Sequence, residues 1–481
     1  MPKLSRTLML AVLIAAASCA TIDSTPDAPA VTGSDRQTAA RSHPQVLAQF
    51  GGAVEGPLAT YVSTVGERVA ASAGVPGQCT FSVVSTDVPN AFAVPGCYIY
   101  VTRGLLAIMN SEDELASVLG HEVGHVVADH AARRQNAATL TGLGALIAGI
   151  ATGSSDIAQV AGQAAQIYTL SYSRDQEFES DDLGVRYLGA NGYNAYAAAD
   201  MLQALGTSDA LNARVNNRNA ASATPAWART HPLSADRVTR ATARAAAAGA
   251  TRDVPPERVQ PYFDAIRGMI YGDDPQQGFV NGRTFAHPTL RIAFEAPEGF
   301  TLTNTPSAVQ IGGSNGRAQF GGGGVLQGTL ESYASNGLRQ IIGQARAQVA
   351  PVQRSTTNGL ETAVAAARAQ NQSGQILDVQ VAAYRVGDRA YHFITLTPAN
   401  GGGVFTPMLR SMRQISAQEA AALRARQIEI VTVRTGDTPN SFARRMAFTD
   451  YQLDRFLALN GLEAGAQLRT GQLVKVITFV R

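Results

Sequence analysis

The run His121-Glu122-Val123-Gly124-His125 is the part of this chain best equipped for chemistry. Two imidazoles four residues apart on a helix share one face and can hold one zinc ion between them. Glu122 projects close enough to take a proton from a water on that ion. A catalytic zinc needs three protein ligands and one open position. The pattern therefore predicts a zinc-dependent peptidase. The plain alternative is a pair of core histidines flanking a glutamate. It is disfavoured because a charged Glu is rarely buried without a partner.

The surrounding residues must supply the helix. Ser111 followed by Glu114 predicts a capping box, and the acidic run Glu112-Asp113-Glu114 suits the positive end of a helix. Leu115, Val118, Leu119, Val123 and Val126 then recur at helical spacing and predict the buried stripe. A third ligand is sought in Ser173 to Asp182, where Glu177 and Asp181 are four apart and share a helical face. Glu177 would ligate the metal, and Asp181 would accept a hydrogen bond from the outer nitrogen of a ligand histidine. Spacing alone does not separate Glu177 from Glu179. A solvated acidic face is the alternative for the whole run. His130, nine residues past His121, is expected on the far side of the helix in a structural role.

Several ordered pieces now converge. They are Asn90-Ala91-Phe92-Ala93-Val94-Pro95-Gly96, Gly104-Leu105-Leu106, Glu114 to Gly120 leading into His121, then His130, Ser173-Arg174 through Glu177 and Asp181, and Thr230-His231-Pro232 with Arg237. Over residues 43–240 this set resembles the gluzincin metallopeptidases that include the CaaX prenyl proteases, HtpX and BepA. The resemblance implies Glu177 as third ligand, with Asp181 and Arg237 behind the ligands. It implies an edge strand at Asn90, Ala91 and Phe92 that holds substrate backbone by β-augmentation. His231 resembles a family histidine near the metal, one that fills the open site at rest or steadies the oxyanion. Ser180 stands where the family usually has Ala. The implied mechanism uses one Zn2+ per chain, Glu122 as general base and then acid, and His231 and Asn90 at the tetrahedral intermediate.

The N-terminus reads as an export signal. Lys3 and Arg6 precede the apolar run Leu8 to Ala17, which is too short to span a bilayer. Ala16-Ala17-Ser18-Cys19 resembles a bacterial lipobox, which would make Cys19 a lipidated anchor to the outer membrane. Ordinary cleavage and a soluble periplasmic protein is the other reading. Residues 20–42 are expected to form a flexible tether. Cys79 and Cys97 remain as an even pair in an oxidising compartment, and a bridge between them is worth about 3 kcal/mol. Two free buried thiols would be the alternative.

With 481 residues, 45% apolar, the chain is long enough for about three domains. Its net charge of +2 does not point to nucleic acid as a partner. The Gly- and Ala-rich stretch from Ala137 to Ala165 is expected to be either a packed helical hairpin or a mobile lid touching membrane or unfolded substrate. Residues 255–415 read as a separate α+β domain with a faint resemblance to PsbP-like sandwiches and no catalytic constellation. In it a helix is expected near Leu330 to Val349, Gly312 to Gly324 reads as a Gly-rich loop, and His287 and His392 as structural or surface residues.

Residues 428–481 resemble a LysM module, through Ile430 to Thr438, Phe442-Ala443, Leu453 to Gly461, Leu468 and Gly471-Gln472-Leu473. That family binds peptidoglycan glycan. Ile477-Thr478 replaces its usual Ile-Pro ending, and Pro439 sits where an apolar residue is common.

The expected fold class is thus a multidomain α+β chain. It comprises a signal segment at 1–19, a mainly helical gluzincin domain with a small β-sheet at 43–250, a central sandwich-like domain, and a βααβ LysM domain. The expected function is a zinc endopeptidase of the bacterial envelope in protein quality control, acting on misfolded envelope proteins. The alternatives are a largely inactive chaperone-like or wall-binding adaptor, and a peptidoglycan peptide hydrolase.

Overall fold

The computed structural model describes residues 31–131, 133, 172–215, 227, 231, 235–252, 254–306, 308–370 and 374–480. The expectations for the signal segment, Cys19, Ala137 to Ala165, Thr230 and Pro232 concern residues outside these.

The helical N-terminal part begins with α1 (Gly33–Gln49) and α2 (Pro57–Ser72). Three short strands follow, β1 (Thr80–Val84), β2 (Ala91–Val94) and β3 (Tyr98–Thr102). They form one sheet in the order β1-β3-β2, so β2 is an edge. Then come α3 (Arg103–Ile108), α4 (Glu112–Val127), α5 (Arg174–Ala190), α6 (Tyr196–Val215) and α7 (Ala235–Ala247). A disulfide joins Cys79 to Cys97, tying the start of β1 to the β2–β3 turn.

Residues 33–42 are not a tether. Thr32 caps α1 by accepting from the Asp35 N–H at 3.1 Å, and Ala39 and Val46 are buried against Phe92, Val94 and Tyr100. An apolar helical face beneath polar residues made the segment look solvated.

α4 starts as its sequence demands, with one change. The Ser111 hydroxyl accepts from the Glu114 N–H at 3.2 Å, but the Glu114 carboxylate accepts from Asn110, one residue earlier than a capping box requires, at 2.8 Å. Leu115, Leu119 and Val123 are fully buried. Glu112 in the first turn is an anchor. Its carboxylate accepts from Tyr61 at 2.7 Å, Tyr193 at 2.9 Å, Arg68 at 2.9 Å and Arg258 at 3.2 Å.

The division into independent domains is corrected in two places. Helix α8 (Pro256–Ile266) and strand β4 (Ile270–Tyr271), expected in the middle domain, pack instead into the N-terminal core. The C-terminal module shares that core too. Its two strands, Arg426–Thr432 and Leu473–Phe479, enclose the helices Pro439–Ala443 and Gln452–Leu459 in the expected strand–helix–helix–strand order. β4 extends its sheet, and Ile428, Phe442, Phe456 and Val476 join one hydrophobic cluster with Leu106, Leu119 and Tyr262. Lys475, fully buried, donates to the carbonyls of Ala107 at 2.7 Å and Met109 at 2.6 Å. It therefore satisfies the end of α3, just before α4 begins. Burial pushes Lys475 down and the nearby Glu114 carboxyl up.

The middle region is a sandwich. An eight-stranded and a four-stranded sheet share a core of Phe285, Phe294, Phe320, Tyr384 and Phe393. The helix Leu330–Ile342 covers the other face of the larger sheet. It stops short of the expected Val349 because Gly343, at φ 51, caps it, and Ala347–Val349 is a strand. The expected Gly-rich loop is a strand pair, Val309–Gly313 with Gly316–Val325, whose glycines pass over Tyr391 and His392. His287 and His392 are structural: His287 bonds the Gln276 carbonyl at 3.1 Å and His392 the Tyr333 hydroxyl at 2.7 Å.

Two predictions follow from these anchors. Lys475→Met leaves the carbonyls of Ala107 and Met109 unsatisfied, and is expected to cost about 3 kcal/mol or more of unfolding free energy by denaturant titration. Burial alone would raise the Glu112 carboxyl, but the Tyr61 and Tyr193 hydroxyls and Arg68 hold it below its ordinary value. A depressed folded pKa gives stability above the unfolded pKa and loses it as pH falls through the folded one. Glu112→Gln is therefore expected to cost about 1.5–3 kcal/mol at neutral pH, with the gap to wild type closing in acid.

Candidate metal centre

The site depends on α4 and α5 lying almost in backbone contact. Ser173 caps α5 reciprocally with Gln176, at 3.2 and 3.0 Å, so α5 begins three residues before Glu177. The two helices meet through small residues. A Cβ on Gly124 would lie 2.8 Å from the Ser180 hydroxyl, and one on Gly184 would lie 3.2 Å from the His121 nitrogen. Ser180 adds a hydrogen bond to the His121 carbonyl at 2.6 Å, which an alanine there could not make.

This approach brings His121, His125 and Glu177 together. The His121 and His125 Nε2 atoms are 3.0 Å apart, and the Glu177 carboxylate is 3.4 Å from His125 and 3.6 Å from His121. His231 joins them, its Nδ1 3.3 Å from His121 Nε2 and 3.0 Å from Glu177. One donor atom from each of the four residues lies within 4.8 Å of every other. A tetrahedral zinc with bonds of about 2.0–2.1 Å holds its ligand atoms roughly 3.3 Å apart. The donor set and its spacing therefore fit zinc. Within the same pocket, His231 Nε2 and Glu122 Oε2 are buried with no hydrogen-bond partner among the described residues.

The candidate donors are held from behind. His121 Nδ1 meets Asp181 at 2.9 Å, and Arg237 on α7 clasps Asp181 with two bonds of 2.8 Å while its third nitrogen reaches Glu177 at 2.6 Å. Burial works to raise the Glu177 carboxyl, but the charge on His231 and hydrogen bonds from His125 and His231 hold it well below the usual range. Asp181 is likewise lowered, with the Arg237 and His121 hydrogen bonds outweighing burial. Burial raises Glu122 and drives His125 well down, toward the neutral form a metal needs.

His130 is not on the far side of the helix. α4 ends at Val127, Asp129 takes the left-handed conformation at φ 51, and the chain turns back. The His130 ring then meets His125 Nδ1 at 2.7 Å and Glu179 at 3.1 Å, with Arg133 on Glu179 at 3.0 Å. So the two glutamates that spacing could not separate have different places, Glu177 among the donors and Glu179 behind His130. Tyr172 stacks on His125 with centroids 3.7 Å apart, a contact that no periodicity signals.

Asn90 and Ala91 line the pocket beside His121, Glu122 and His231, where β2 is the edge strand of its sheet among the described residues. Phe92 does not. The strand alternates, and its ring stacks on Tyr100 at 4.9 Å and meets Phe50 at 4.7 Å on the opposite face.

Residues 58–245 match Peptidase family M48. The "Putative beta-barrel assembly-enhancing protease" of Vibrio cholerae is 34% identical over 217 residues, 43% of this chain and 42% of that protein. The "Beta-barrel assembly-enhancing protease" of Yersinia pestis is 34% identical over 200 residues, 39% of each. "Mitochondrial metalloendopeptidase OMA1" of Schizosaccharomyces pombe is 28% identical over 213 residues, 42% of this chain and 59% of that protein. The chain spans about two fifths of the length of the two bacterial relatives. Among solved structures, cyanobacterial PsbP from Synechocystis aligns with 28% of this chain and 98% of its own at 9% identity, with a TM-score of 0.24.

The supports behind the ligands make a quantitative prediction. Asp181→Asn and His130→Ala are each expected to weaken zinc binding about 10- to 100-fold in chelator competition while the fold persists by circular dichroism.

Proposed function

We propose that this chain is a zinc-dependent endopeptidase of the bacterial cell envelope acting on protein substrates in quality control. The observation that carries the reading is the convergence of His121, His125 and Glu177 beside a buried Glu122. The names of the bacterial relatives support a substrate among proteins of β-barrel assembly. Export with a lipid anchor at Cys19, facing the periplasm, and a LysM role for residues 428–481 holding the enzyme near peptidoglycan glycan, complete the reading.

Bound zinc would supply the Lewis acid that acidifies a water and polarises the scissile carbonyl. The chain's residues do the rest. His121, His125 and Glu177 would hold the ion, and Asp181 and Arg237 fix their orientation. Glu122, 2% exposed, accepts the water's proton and returns it to the leaving amine. Its raised proton affinity suits both steps. The outer edge of β2 at Ala91 would pair with an extended substrate backbone, with the Asn90 side chain beside it in the pocket, and His231 Nε2, 3.6 Å from Glu122, would face the developing oxyanion.

A second reading rests on where His231 sits. Its Nδ1 lies 3.3 Å from His121 Nε2 and 3.0 Å from Glu177, so it could serve as a fourth donor where a catalytic zinc keeps one position open. On that reading the resting protein is shut, and acts as a chaperone-like adaptor until His231 moves.

Casein cleavage by zinc-loaded protein tests both. Glu122→Gln is expected to keep stoichiometric zinc and lose cleavage by 10²-fold or more. A rise in cleavage on His231→Ala would favour the shut resting state, and a fall would assign His231 to the reaction itself. Wild-type protein that binds no zinc would refute the proposal.

A further inference from the structure

Beside the donor cluster lies a cavity of about 80 Å³ whose far wall is one face of α6. Ala198, Met201, Leu202 and Leu205 line it at the i, i+3, i+4, i+7 spacing of a helical stripe. Trp227 and Val118 close the sides. Met201 and Leu202 are buried, whereas Val118, Ala198 and Leu205 stay half-buried because the cavity reaches them. Val118 stands one turn before His121 on α4, so the cavity opens directly onto the reacting centre. The charged residues at its mouth are Glu122, Asp181 and Arg237, and the last two are committed to each other. The polar groups of the lining gather at the donor-cluster end, and along the α6 stripe a charged or amide side chain would lose its hydration without a partner.

We infer that this cavity is the specificity pocket of the enzyme. It receives an aliphatic or methionine side chain from the substrate residue adjoining the scissile bond, and the α6 stripe sets its depth. The inference rests on the proposed peptidase function and adds a substrate class to it. An extended backbone on the β2 edge beginning at Ala91 would direct alternate side chains toward α4, which places one of them at this mouth. Discrimination by an apolar pocket amounts to roughly 10- to 200-fold between side chains differing by a methylene or more.

The test uses zinc-loaded full-length protein and a peptide set varied at one position among Gly, Ala, Leu, Met, Phe, Asp and Lys. Wild type is expected to cleave beside Leu and Met with kcat/KM at least 10-fold above Gly, Asp or Lys. Ala198→Phe fills the cavity, and is expected to lower cleavage beside Leu by about 10-fold or more while Gly and Ala peptides stay within about 3-fold. Leu205→Ala deepens it and is expected to shift preference toward Phe, which keeps the test open if the first variant fails to fold. Binding of the same peptides to zinc-loaded Glu122→Gln, read by fluorescence anisotropy, separates the two claims. Absent cleavage with Leu and Met still bound 10-fold tighter than Asp would sink the peptidase reading and leave the pocket standing. A flat preference in both cleavage and binding, or one that neither α6 variant moves, would overturn the pocket.

Discussion

Two helices can bring an imidazole pair and a carboxylate within 3.6 Å only when their backbones nearly touch. That constraint governs this molecule. Gly120 and Gly124 on α4 face Ser180 and Gly184 on α5, and no larger residue fits at Gly124 or Gly184 without moving a helix. The charges that gather there require company. Glu177 is fully buried and tolerable only because His125, His231 and Arg237 surround it. Arg237 in turn commits α7, which Arg240 and Arg244 bind further to Asp182 on α5. Much of the helical domain is thus arranged around one seam.

Support for the seam comes from far along the chain. Lys475 closes the end of α3, Tyr262 takes the Leu106 carbonyl at 2.5 Å, and Arg103 holds the carbonyls of Ile270 and Gly272 at 2.7 and 2.8 Å. α3 carries Leu105 into the site pocket, and Thr102 at its N-cap holds the Asn90 N–H at 2.9 Å. The C-terminal module is therefore part of the wall behind α3 and the β2 edge, joined to them by a common hydrophobic core.

What could be read from the sequence followed short-range rules. His121, Glu122 and His125 declare themselves because four-residue spacing puts ligands on one helical face. Asp181 and Arg237 are legible through their place in an ordered family pattern, and the structure brings both to the candidate donors His121 and Glu177. His130 was misplaced because helical spacing was extended past Val127, where the left-handed Asp129 reverses the chain. Tyr172 gives no signal, and spacing cannot tell Glu179 from Glu177, because their partners lie in other elements. Lys475 was invisible for the same reason, its partners being more than 360 residues away. Composition makes residues 33–42 look like a tether, whereas the face of α1 carrying Ala39 and Val46 is buried against β2 and β3.

The measurement that bears most directly on this account is anomalous diffraction at the zinc edge from crystals of the zinc-loaded protein. The account predicts one zinc per chain, bonded at about 2.0–2.2 Å to His121 Nε2, His125 Nε2 and a Glu177 oxygen. Density at that position without Glu177, or zinc bound elsewhere with Glu177 still pinned to Arg237, would contradict it.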